Sequence, residues 1–117
     1  MKYLIGNVAE IPQGEKRSYK VKNIPVVVVH SGKDQFYAIY ERCPHQGVSL
    51  CAGTLAGETL ATGPGAPFAY AREGEILRCP WHGFSFDVTT GVCVNAAEYR
   101  VRTYPVSIEQ SQIFLEL

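Results

Sequence analysis

Two short segments constrain this chain more than anything else in it. Cys43-Pro44-His45-Gln46-Gly47 and Cys79-Pro80-Trp81-His82-Gly83 each hold a cysteine and a histidine separated by only one or two residues. A proline follows each cysteine and stiffens the loop. A glycine follows each histidine region and lets backbone approach closely. Each segment comes after a β-like run and opens a loop, so the scaffold around them should be strands. The spacing supports that. Expected strands are Tyr3 to Ile11 (one or two short ones), Lys16 to Val21, the β-branched run Pro25 to His30 as a central strand, and Phe36 to Glu41 as its return across Ser31-Gly32-Lys33-Asp34. Phe68 to Arg72 and Glu75 to Arg78 flank Glu73-Gly74 like a hairpin. Phe84 to Val88 and Val92 to Val94 flank Thr90-Gly91 in the same way. Arg100 to Ile108 and Ile113 to Leu117 close the chain. No stretch keeps a 3.6-residue apolar period for three turns, so the expected fold is all-β, a sandwich or barrel of antiparallel sheets. Ala52 to Pro67, rich in Gly, Ala, Thr and Pro, reads as an exposed loop with little strand content.

At 117 residues the chain suits one domain. Eleven basic and eleven acidic residues cancel, leaving no electrostatic footprint for nucleic acid or an anionic membrane. The longest aliphatic run, Val26 to Val29, is far short of a membrane span. The N-terminus lacks the long apolar stretch and cleavage site of a signal peptide. The expectation is a cytoplasmic protein with reduced thiols, so its four cysteines read as ligands or buried thiols rather than disulfides.

The paired segments carry the chemistry. A [2Fe–2S] cluster takes four protein ligands, two per iron. Soft thiolates suit iron–sulfur bonding, whereas imidazole is a neutral donor. With both thiolates on one iron and both imidazoles on the other, the histidine-ligated iron is the easier to reduce and the added electron localises there. The rival is structural zinc, but zinc knuckles pair like with like, C-x-x-C followed by H-x-x-x-H, and here each half is mixed. Ordinary core cysteines and histidines are the bland alternative. They leave unexplained why two of the three histidines fall inside two matching loops.

C-P-H-Q-G and C-P-W-H-G resemble the paired boxes of Rieske iron–sulfur proteins, and Phe84-Ser85-Phe86-Asp87 with Thr90-Gly91 resembles the continuation of the second box. The resemblance covers essentially the whole chain. It implies a base subdomain of antiparallel sheet, about 1–42 and 98–117, with an inserted cluster-binding subdomain, about 43–97. It implies Cys43, His45, Cys79 and His82 as ligands of one [2Fe–2S] cluster, and Asn95-Ala96-Ala97 as a third loop covering it. The cytochrome bc branch of the family has a disulfide joining its boxes. Val48 and Trp81 stand where those cysteines would be, so the bridge is absent. Phe84 and Phe86 stand where that branch places a serine and a tyrosine hydroxyl near sulfur. Fewer hydrogen bonds to sulfur imply a low potential. The chain is therefore similar to the Rieske ferredoxins of bacterial ring-hydroxylating oxygenase systems.

That resemblance implies an electron carrier, reduced by a flavoprotein reductase and oxidised by a terminal oxygenase or another redox enzyme, with no nucleic acid or membrane among its partners. The alternative is a small Rieske subunit of a reductase, similar to that of nitrite reductases; a redox sensor is a further reading. A catalytic oxygenase would need a second domain with a two-His-one-carboxylate iron. The 35 residues after His82 and the one unassigned histidine, His30, do not provide it. Cys51 and Cys93 read as buried or inert thiols, His30 as a surface histidine, and Trp81 as a shield over the cluster. Gly63-Pro64-Gly65 lacks the Lys-Ser/Thr of a phosphate loop and reads as a flap.

Overall fold

Four consecutive valines set the layering. In the computed structural model, which describes residues 1–31, 35–42, 49–50, 53–60, 69–79, 84–94 and 96–117, they lie in β3 (Ile24–His30). This strand pairs antiparallel with β2 (Lys16–Val21) on one side and β4 (Phe36–Tyr40) on the other. The short β8 (Thr103–Tyr104) completes a four-stranded sheet. Successive residues of a strand point to opposite faces, so an alternating pattern marks a half-buried strand and a continuous apolar run marks one covered on both faces. Val26 and Val28 pack with Ala38, Tyr104, Ile113 and Leu115 on one face. Val27 and Val29 pack with Ile39, Leu50, Leu77 and Phe86 on the other. All four valines are fully buried.

The first of these cores is covered by a three-stranded sheet of β1 (Lys2–Asn7), β10 (Gln112–Glu116) and β9 (Val106–Glu109), in the order β1-β10-β9. The second is covered by β5 (Thr54–Leu60), β6 (Ala69–Arg78) and β7 (Ser85–Asp87), in that order. These strands pair antiparallel throughout the described residues. The β2–β3 and β9–β10 connections are two-residue turns with both central residues at positive φ, Lys22 and Asn23 at 52° and 67°, Gln110 and Ser111 at 51° and 65°. This turn twists in the sense of the strands it joins.

Several expectations change. Tyr3 to Ile11 is one strand followed by a 3-10 turn, Val8–Glu10, because the Asn7 side chain accepts the Ala9 N–H at 3.0 Å and caps it. The strand expected over Arg100 to Ile108 divides at Pro105 into β8 and β9, which belong to different sheets. Glu73-Gly74 is no hairpin. β6 runs through it, and Gly74 at φ 77° sits in a bulge where the register jumps from Ala56↔Ile76 to Glu58↔Ala71. Nor is Thr54–Leu60 a loop; it is β5, paired with β6. His30 is buried, 8% exposed. Its Nδ1 donates to the Ile11 carbonyl at 2.7 Å and its ring stacks on Phe36 at 4.1 Å, which satisfies the polar edge and covers the flat face. The centre of the turn at 32–34 lies outside the described residues, but Ser31 N–H donates to Gln35 O at 2.8 Å and closes it. Among the described residues, no helix is long and apolar enough to cross a membrane.

Candidate metal centre

Cys79 follows β6 directly and is 2% exposed. Its N–H donates to Phe84 O at 2.6 Å, so Cys79 and Phe84, the residues on either side of 80–83, are held together. The first box is closed in a comparable way. Arg42 and Ser49 form an antiparallel bridge across 43–48, and Leu50 N–H donates to Glu41 O at 2.7 Å. The Glu41 carboxylate accepts the Ser49 hydroxyl at 2.5 Å, and its other oxygen accepts the hydroxyl of Ser18 on β2. The base of the first loop is thereby tied to the central sheet.

The β5–β6 ladder brings the two loop bases together. Thr54, just past the first box, pairs with Arg78, just before Cys79. One residue earlier, Gly53 presses on the same backbone: a Cβ there would lie 1.8 Å from Arg78 O. Leu50 and Cys79 consequently share one apolar core with Leu77, Phe86 and Cys93. A third segment joins from the far side. Tyr99 N–H donates to Ala96 O at 2.9 Å, and Cys93 N–H donates to Tyr99 O at 3.0 Å. Ala96, Phe84 and Tyr99 pack against the same core, the two rings 5.3 Å apart and tilted by 44°. The β7 turn beneath is held by Asp87, whose carboxylate accepts the Thr89 N–H at 2.9 Å, and by Gly91 at φ 81°.

Of the four sequence-predicted ligands, Cys79 is described. Cys43, His45 and His82 lie outside the described residues, as do Cys51, Trp81, Asn95 and Gly63-Pro64-Gly65. Cys93 is a buried thiol, as expected, at 1% exposure. The arrangement fits an iron–sulfur centre. A thiol removed from water stands at the base of a loop whose end carries His82. It shares a core with Leu50, which anchors the loop carrying Cys43 and His45. Burial beside apolar side chains excludes solvent from a metal site. Glu41, Ser49 and Gly53 were not legible as site residues. Their roles are contacts between segments distant in sequence, and only the glycine after Cys51-Ala52 hints at a close approach.

The sequence profile of the Rieske [2Fe-2S] domain family matches residues 1–105. The 3-phenylpropionate/cinnamic acid dioxygenase ferredoxin subunit of Shigella boydii serotype 4 is 31% identical over 112 residues, covering 94% of this chain and 88% of that protein. Its counterpart in Escherichia coli K12 is 30% identical over the same span. Among solved structures, the ferredoxin of carbazole 1,9a-dioxygenase from Nocardioides aromaticivorans superposes with a TM-score of 0.79 at 24% identity, covering 99% of this chain and 97% of that one. A protein described as a nitrite reductase (NADPH) small subunit superposes equally well, 0.79, at 13% identity, covering 100% and 99%.

Proposed function

Because the chain belongs to the Rieske [2Fe-2S] domain family, we propose that it is the ferredoxin component of an oxygenase system, taking electrons singly from a flavoprotein reductase and passing them to a terminal oxygenase. The observation that carries this reading is the extent of the likeness: 31% identity to a dioxygenase ferredoxin subunit over 88% of that subunit's length. The match to the nitrite reductase small subunit is one of fold alone at 13% identity, so the sequence likeness decides for the ferredoxin.

In this reading Cys43 and Cys79 would hold one iron through their thiolates, and His45 and His82 would hold the other through ring nitrogens. When bound, the cluster supplies a site that accepts and releases one electron. The chain's own residues do the rest. The β5–β6 ladder and Gly53 set the two loop bases side by side. Phe84, Tyr99 and Ala96 keep water from Cys79. The Cys79 N–H is committed to Phe84 O, which ties the two ends of the second box together. The inserted sheet β5-β6-β7 supports a cluster-binding subdomain over about 43–97, and the two remaining sheets support a base built from about 1–42 and 98–117. The protein acts as a carrier in the cytoplasm and not as a catalyst in its own right.

The test is analytical and spectroscopic. Purified protein should hold about two iron and two acid-labile sulfides per chain. Its reduced form should give a rhombic EPR signal with average g below the free-electron value, and it should reoxidise reversibly. Stoichiometric zinc without sulfide would falsify the reading.

A further inference from the structure

Glu41 uses every polar group it has to join other parts of the chain. It follows β4 directly and stands two residues before Cys43. Its N–H donates to Pro25 O on β3 at 3.0 Å, and its carbonyl accepts the Leu50 N–H at 2.7 Å. Its Oε1 accepts the Ser18 hydroxyl from β2, and its Oε2 accepts the Ser49 hydroxyl at 2.5 Å. One residue thereby links β2, β3 and the far end of the first box. Hydrogen bonds to a charged acceptor are about twice as strong as neutral ones. Glu41 and Ser49 are half-buried, whereas Ser18 is exposed on β2, the edge strand of its sheet.

The second box hangs from a different sheet. Cys79 follows β6, and its N–H meets Phe84 O. The two ligand pairs are therefore carried by separate sheets. Their relative position depends on the contact of Gly53 with Arg78 and on what fastens the first box to the central sheet. At Glu41 that fastening is a side chain reaching both ways, to Ser49 at the loop end and to Ser18 on the sheet. Groups behind metal ligands orient them, and losing one costs about 10–100-fold in metal affinity.

We propose that Glu41 is a positioning residue for the first ligand pair: its carboxylate, shared between Ser18 and Ser49, clamps the loop bearing Cys43 and His45 to the central sheet. The clamp holds the histidine-ligated iron in one geometry as the electron arrives and leaves. This rests on the carrier reading above and adds to it a residue that acts through the loop.

The experiment compares the holoprotein with Ser18→Ala, Glu41→Ala, Glu41→Gln and the S18A/E41A double variant. Ser18 decides the matter, because it is exposed and S18A removes the far arm of the clamp without opening a core. Transfer of iron from the oxidised protein to a chelator should quicken about tenfold in S18A and more in E41A. The EPR lines of the dithionite-reduced protein should broaden in both, because His45 then samples more than one geometry. The Leu50 amide, which closes the loop on Glu41 O, should exchange faster, while the amides of Val26–Val29 keep their wild-type rates. E41Q keeps the length and one oxygen acceptor, so its effects should be intermediate. The double variant should match E41A, since the far arm works only through the carboxylate. Wild-type iron release, line shape and Leu50 exchange in S18A overturn this inference whatever E41A does, because Glu41 would then act by its charge or packing alone. Equal acceleration of Leu50 and Val26–Val29 exchange also overturns it, as a general loss of stability. Either result leaves the carrier reading intact. A wild-type protein without iron and sulfide overturns both.

Discussion

A cysteine 2% exposed, with its N–H tied to Phe84 O at 2.6 Å, has little freedom to move, which is what a ligand needs if it is to hold its iron in both oxidation states. Changing Cys43, His45, Cys79 or His82 to Ala should each abolish or cripple cluster loading, read as lost visible absorbance. Cys93→Ser should keep the spectrum and instead lose roughly 1–3 kcal/mol in denaturant unfolding, because a hydroxyl replaces a fully buried thiol. Phe86 is also fully buried, in the same core as Cys79, and no hydroxyl stands at its position or at Phe84 to donate to sulfur. The midpoint potential should therefore fall near the lower end of the Rieske range, about −150 mV, and Phe86→Tyr should raise it; voltammetry of both proteins checks this. Far from the cluster, the Tyr19 hydroxyl donates to Glu10 at 2.8 Å. Burial, then the hydrogen bond and charge of Glu10, push its pKa from 10.0 up to about 12, with Arg17 opposing. The folded state thus holds this proton more tightly than the unfolded one. Its contribution to stability is complete below pH 10 and is lost as pH rises through about 12. Urea midpoints should decline across that window, and Tyr19→Phe should flatten the decline without removing it, since burial also raises Tyr104.

At the level of elements, the centre depends on how closely β5 and β6 approach each other at their ends. Gly53 stands where the first loop base meets Arg78, and any Cβ there would overlap the Arg78 carbonyl at 1.8 Å, a backbone atom that cannot swing aside. Gly53→Ala should push the two loop bases apart. The expected result is poor cluster loading together with a loss of about 1–3 kcal/mol, the range for enforced overpacking. Gly14→Ala, where nothing lies within 4 Å and only the φ of 84° is strained, should cost less and leave loading unchanged. Iron content and melting temperature, measured on both variants, separate a positioning effect at Gly53 from a general effect of adding a methyl group.

Across the whole molecule, stability is divided between two cores on opposite faces of one sheet. Among the described residues, Cys79 is the one proposed ligand, and it lies in the core against β5-β6-β7 and not in the core against β1-β10-β9. Removing iron with acid and a chelator should therefore loosen one side first. In hydrogen exchange, the amides of Val26–Val29 should stay protected in the apoprotein, held in ladders to β2 and β4. The amides of Leu50 and Cys79, which close the two loops, should exchange much faster than in the holoprotein. Uniform loss of protection over both cores would show that the base does not hold its structure without the cluster.

How much of this was legible in the chain follows from the range of the interaction involved. The paired boxes, the all-β character and the central place of Pro25–His30 are local patterns: ligand types a residue or two apart, and a β-branched run bounded by turn residues. Such patterns carry their physical meaning wherever they occur, and the structure agrees with the all-β character and with the central place of the valine strand. What went unread was set by partners distant in sequence. Thr54–Leu60 has the glycine content of a loop and becomes a strand because β6 supplies its hydrogen bonds. His30 has the polarity of a surface residue and is buried because the Ile11 carbonyl and the Phe36 ring stand ready to cover it. The sequence by itself determined which donors the chain offers and that the scaffold is built of strands. The tertiary structure alone decided which segments touch, because burial and charge proximity depend on distances in space that the chain's order does not contain.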